Sequence, residues 1–65
     1  MWIKTADAMP NENGYYITVY YYKITNTYVK CLDSYSIEQN SFINEFGSKV
    51  NDRIAWIKIP DFTES

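Results

Sequence analysis

A chain of 65 residues with a net charge of −2, one cysteine and no histidine leaves few chemistries open. Its length limits it to one domain, because a chain this small buries only about 60% of the surface that its unfolded form exposes. Cys31 has no internal partner for a disulfide, and zinc wants three or four Cys, His or carboxylate ligands at close spacing, so self-association is the remaining staple and a homo-oligomer is expected.

Trp2 and Ile3 predict a short edge strand, followed by a turn of irregular or helical structure over Thr5 to Met9. Pro10 to Gly14 gathers turn formers, with Asn13-Gly14 suited to a tight reversal. A long strand is then predicted from Tyr15, a hairpin loop over Ile24 to Thr27, and an antiparallel return over Tyr28 to Asp33. Loop length leaves the register open between Val19 facing Cys31 and Val19 facing Leu32.

Tyr35 to Phe46 supports two readings. Ser36 and Gln39 match a capping box, and Phe42, Ile43 and Phe46 share one helical face that ends at Gly47, which predicts a short helix. The rival is a second hairpin turning at Gln39-Asn40 with Ile37 across from Phe42. The β-rich surroundings and the lack of alanine and leucine in the stretch favour the hairpin. Gly47 to Asp52 reads as a polar turn, and Arg53 to Ile59 as the last strand, closed by Pro60. The fold class expected is mainly β, a small antiparallel sheet or meander of four to five strands with at most one short helix.

Twelve residues are aromatic, and five of them fall within the ten residues Gly14 to Lys23. Alternation points Tyr15, Ile17, Val19 and Tyr21 one way, and Tyr16, Thr18, Tyr20, Tyr22 and Ile24 the other. Burying the Ile17 and Val19 side beneath Trp2, Trp56, Ile57 and Ile59 would leave the second face as a row of tyrosines. Such a row fits a second packing layer, a dimer interface or a contact surface. Tyrosine joins large apolar area to a polar tip at low entropic cost, which suits it to recognition.

The chain starts without the charged and apolar stretches of a signal peptide, and its apolar runs are far shorter than a membrane span, so a cytoplasmic protein without membrane contact is expected. Basic residues are scattered singly, which disfavours binding to duplex nucleic acid. Without histidine a Ser or Cys nucleophile lacks its ordinary base, and Cys31 reads as a half-buried hydrophobe in mid-strand. The carboxylates Asp33, Glu38, Glu45, Asp52 and Asp61 read as solvated surface charge, and no Gly-rich loop cradles phosphate. Neither catalysis nor a cofactor is expected.

Trp2-Ile3, Met9-Pro10 followed closely by Gly14 and a Tyr/Val strand, and Ile54-Ala-Trp-Ile-Lys-Ile-Pro60-Asp together form a pattern spanning most of the chain. It resembles a small phage and prophage domain of unknown function, whose members open Trp-Ile-x-Val, pass through Leu-Pro and Gly, and close His-Trp-Met-Pro-Leu-Pro-Glu. Lys58 departs from the family's Pro, and Ala55 stands where the family has His or Ala. The resemblance implies a phage or mobile-element setting and a compact β-rich fold, and brings no catalytic residues.

Contact is therefore the expected mode of action. In the first reading the protein docks on a host protein or complex, such as a defence nuclease, through the tyrosine face with acidic residues at its rim. In a second, an oligomer sequesters a small nucleotide signal, stacking a base on tyrosine or Trp56 and meeting phosphate with Arg53 or Lys30. A structural accessory subunit is the third. The candidate contact residues are Tyr16, Tyr20, Tyr22, Lys30 and Arg53, and the candidate core is Trp2, Ile17, Val19, Trp56 and Ile57.

Overall fold

The computed structural model describes residues 1–59, and their backbone forms six strands and no helix. These are β1 (Ile3–Lys4), β2 (Gly14–Tyr22), β3 (Thr27–Ser36), β4 (Ser41–Ile43), β5 (Lys49–Val50) and β6 (Ala55–Lys58). They make one sheet in the order β1-β6-β2-β3-β4-β5, every neighbouring pair antiparallel. The mainly β expectation holds, with six strands in place of four or five because the polar turn foreseen at Gly47 to Asp52 contains β5. Tyr35 to Phe46 is the second hairpin. Tyr35, not Ile37, lies across from Phe42, since Ile37 is spent in the turn. Pro60 and Asp61 lie outside the described residues.

Two four-residue turns set the register. Lys23–Asn26 and Ile37–Asn40 each close with the amide of the fourth residue donating to the carbonyl of the first, at 3.2 Å in both. In each the fourth residue is an asparagine in the left-handed region, with φ of 57° at Asn26 and 56° at Asn40, a conformation this side chain tolerates far better than most. The tyrosine five positions earlier then donates its hydroxyl to the asparagine Oδ1, Tyr21 to Asn26 and Tyr35 to Asn40. The same device thus appears twice. With the first turn one residue earlier than foreseen, Val19 faces Lys30, and Cys31 faces Thr18.

The faces are reversed relative to expectation. Trp56 stands opposite Thr18, Tyr16 opposite Asp33, and Phe42 between Tyr35 and Val50, which places all of these on one face. Tyr16, Tyr35, Phe42 and Trp56 form the buried cluster, with Val50 packed against it. Tyr16 meets Trp56 edge-on at 5.2 Å between centroids, and Tyr35 meets Phe42 at 4.9 Å. Such pairs add about 0.5–1.5 kcal/mol each beyond the area they bury. The sheet curls around this cluster. Thr5 and Met9, from the β1 end, line the same small cleft as Ser41, Phe42 and Val50 from the other end.

The decisive cause is the roof. Between β1 and β2 the chain turns at Lys4, whose carbonyl accepts from the Asp7 and Ala8 amides, and runs over the Trp56 side of the sheet with Pro10 buried. There the Ala8 carbonyl accepts the Trp56 indole N–H at 2.9 Å, and the Glu12 carbonyl accepts the Tyr16 hydroxyl at 3.0 Å. An exposed Lys58–Glu12 pair at 2.7 Å straps the roof to β6. Of the core expected from sequence, Trp56 and Val19 are buried, Ile17 and Ile57 are half-buried on the outward face, and Trp2 is 40% exposed.

The turn geometry predicts different costs for two substitutions at Asn40. Asn40→Ala forces the left-handed backbone on an unsuited residue and removes the acceptor of Tyr35, a combined loss of about 2–3 kcal/mol. Asn40→Gly keeps the backbone and should lose roughly half as much. Urea midpoints check this, and equal destabilisation by the two would contradict it.

Candidate functional site

One cleft of about 550 Å³ runs beside β3, bounded by Lys30 to Asp33, by the turn Asn44 to Phe46, and by Val50, Asp52 and Arg53. Its floor follows from the strand register. Thr18 and Asp33 are both inward-facing and fully enclosed, at 0% and 2% exposure, so the Asp33 carboxylate needs partners. Thr18 donates its hydroxyl to Oδ2 at 2.7 Å, and Arg53 donates Nε to the same oxygen at 2.7 Å. The guanidinium also reaches Asp52 and lies over the Tyr20 ring, 4.9 Å from its centroid. No buried side-chain donor or acceptor among the described residues lacks a partner.

Arg53 holds its charge firmly. Burial opposes the cation, but the hydrogen bond and charge of Asp33, with Asp52 behind them, raise its pKa above the ordinary value. Across the cleft, burial pushes the Cys31 thiol up, outweighing the pull of Arg53, so Cys31 is a weak nucleophile here. Among the described residues no three His, Cys, Asp or Glu side chains gather as metal ligands.

The five residues singled out from sequence separate. Tyr20, Lys30 and Arg53 line this cleft. Tyr16 sits in the core at 2% exposure, its hydroxyl committed to Glu12, so it is not a contact residue. Tyr22 is exposed beside the hairpin turn. Asp33, read from sequence as solvated charge, is instead the buried centre of the network. Its inward parity beside Tyr35 and opposite Tyr16 was the available signal. Arg53 lies before β6 and not within it, because its side chain is drawn back to Asp33.

The outward face is the larger feature. Register lines up Ile57, Ile17 and Leu32 across three strands, with Tyr15, Ser34 and Ile43 on one side of that row and Ala55, Val19 and Lys30 on the other. Tyr21 and Tyr28 continue the face toward the hairpin, their rings 5.2 Å apart. Tyr15 and Tyr28 are each 68% exposed and Leu32 is 58% exposed. The charged strand residues of this face are Lys4, Lys30 and Lys49, and none has an ion pair among the described residues. An apolar row, exposed at Leu32 and half-buried at Ile17 and Ile57, is therefore flanked by lysines on an acidic protein.

No family model matches the chain, and neither a curated protein nor a solved structure matches it.

The buried pair makes a sharp energetic prediction. Asp33→Ala leaves the Arg53 cation with Asp52 and the Tyr20 ring but without its buried partner, and should cost about 3 kcal/mol, a large share of the stability of a domain this small. Asp33→Leu combined with Arg53→Met removes both charges, while Thr18 keeps the Cys31 carbonyl, 3.4 Å away, as an alternative acceptor. The double variant should therefore be more stable than Asp33→Ala in urea titration. A double variant no better than the single would mean the charges are not what couples these residues.

Proposed function

We propose that this protein is a non-catalytic binding protein that docks on another protein through the outward sheet face. The observation that supports this reading is the exposed surface of Leu32, Tyr15, Tyr21 and Tyr28, continued by the half-buried Ile17 and Ile57 in the same row. Its partner presents an apolar patch rimmed by carboxylates, complementary to Lys4, Lys30 and Lys49. The acidic rim expected from sequence gives way to a basic one, because strand parity turns Lys4, Lys30 and Lys49 outward. In the phage setting that the sequence pattern implies, the partner is a host protein, and antagonism of a host defence complex is one use of such docking.

The nucleotide reading is weaker on this geometry. Arg53, its main cation, already serves Asp33 and Asp52, and Tyr16 is enclosed.

The test compares wild type with Leu32→Asp as immobilised bait, after confirming that the thermal midpoints agree. A central contact residue is worth about 2 kcal/mol or more, so capture of the partner should fall more than about tenfold. Wild-type capture should also weaken with added salt. Equal capture by the two forms overturns the reading. So does a concentration-dependent doubling of mass that Leu32→Asp abolishes, which would put a second copy on the face, or thermal stabilisation by a nucleotide panel lost in Arg53→Met.

A further inference from the structure

The β2–β3 hairpin outruns its neighbours. β6 pairs with β2 only over Tyr16 to Val19, and β4 pairs with β3 only over Ser34 to Ser36. Among the described residues no strand lies along β3 from Thr27 to Asp33 on the side away from β2. Beside Lys30 to Asp33 that edge borders the cleft of about 550 Å³, with the Asn44 to Phe46 turn as its far wall.

The ladder fixes which backbone groups are free. β4 adds on at Ser36, the pair that closes its turn, and again at Ser34, so in an antiparallel ladder the even-numbered residues of β3 direct their N–H and C=O away from β2. Continuing that alternation, Tyr28, Lys30 and Leu32 present donors and acceptors to the open edge. Their side chains share the outward face, with exposed apolar surface at Tyr28 and Leu32 flanking a lysine that has no ion pair among the described residues. A lysine at the middle of an edge strand discourages a second copy from pairing there, since a two-fold antiparallel register centred on it sets Lys30 against Lys30.

We propose that this edge of β3 binds an extended peptide segment of the partner by strand addition, and that the segment carries a carboxylate residue between two apolar residues at alternate positions. The carboxylate meets Lys30, and the apolar residues meet Tyr28 and Leu32. The alternate side chains of the segment point into the cleft, toward Cys31, Phe46 and Val50. Backbone hydrogen bonds supply affinity, and the outward triplet supplies selectivity. This inference rests on the reading of the protein as a docking module and names the form of its ligand.

The probe is a synthetic capped heptapeptide, Thr-Val-Thr-Glu-Thr-Val-Thr, with a Lys-for-Glu counterpart, added to the whole isotope-labelled protein. Amide exchange should be fast at Tyr28, Lys30 and Leu32 in the free protein, and the Glu peptide should slow it at those three amides at least tenfold. Val29 and Cys31, whose amides face β2, should change far less. Lys30→Glu should prefer the Lys peptide, reversing a preference of about fivefold or more. No slowing at any concentration up to millimolar overturns strand addition, as does peptide binding that shifts side-chain signals of Ile17 and Leu32 while the three edge amides exchange unchanged. The latter outcome leaves docking through the sheet face standing. Slowing of the same amides with protein concentration alone would assign the edge to a second copy and also overturn the proposal.

Discussion

A single carboxylate oxygen ties together three segments of the interior face. Asp33 Oδ2 takes the Thr18 hydroxyl from the neighbouring strand and the Arg53 Nε from the segment that joins β5 to β6. The first bond ties β2 to β3 through side chains. The second pins the crossover Asn51 to Ile54 over the inward face and delivers the chain to β6, where the Ile54 amide reaches the Val19 carbonyl at 2.8 Å. A charge at 2% exposure is tolerable only with such partners, so the face holding Asp33 closes only if Arg53 arrives. The aromatic cluster supplies apolar burial, while this pair ties the Asn51 to Ile54 crossover in place.

With that face sealed, the remaining ring area has no interior to enter. Tyr16 and Tyr35 are enclosed and Tyr20 is half-covered, its ring beneath Arg53, whereas Tyr15, Tyr21, Tyr22 and Tyr28 stay exposed. Excess aromatic surface was evident from composition, but its location was not. Tyr16, expected at the contact face, is in the core, and Ile17 and Ile57, expected in the core, lie half-buried on the outward face.

The reason for that inversion is instructive about how far sequence reaches. Period-two alternation sorted β2 into its two sets correctly, and the hairpins, the edge strand at Ile3 and the β character of the chain were all legible. Choosing between two sets that are both apolar needed a long-range fact: Trp56 falls opposite Thr18, and its indole finds the Ala8 carbonyl in the roof. A clue did exist in Asp33, since its parity matches Tyr35 and Cys31, but a lone aspartate reads as surface until its arginine partner is known. The Ser36–Gln39 signal was likewise real. Ser36 Oγ does accept the Gln39 amide at 3.2 Å, as an N-cap would, yet the bond closes a hairpin turn. Local hydrogen bonding of this kind serves a helix start and a turn equally well, so the outcome is decided by the strands on either side.

The repeated spacing between tyrosine and asparagine, Tyr21 with Asn26 and Tyr35 with Asn40, connects the turns to the surface. Each places a ring over its turn and holds the asparagine in its left-handed conformation, which fixes the register of the strands that follow. At the second turn the ring is part of the core, and β4 adds to β3 to cover it. At the first turn no further strand follows among the described residues, so the Tyr21 and Tyr28 rings stay on an exposed two-stranded ribbon. Isolated ribbons of this length are marginal in water. Here one end is anchored in the Asp33 network and the other is closed by the Asn26 turn, which allows the ribbon to persist with its outer edge uncovered. The same turn chemistry therefore yields a core element where a neighbour strand follows and an open edge where, among the described residues, none does.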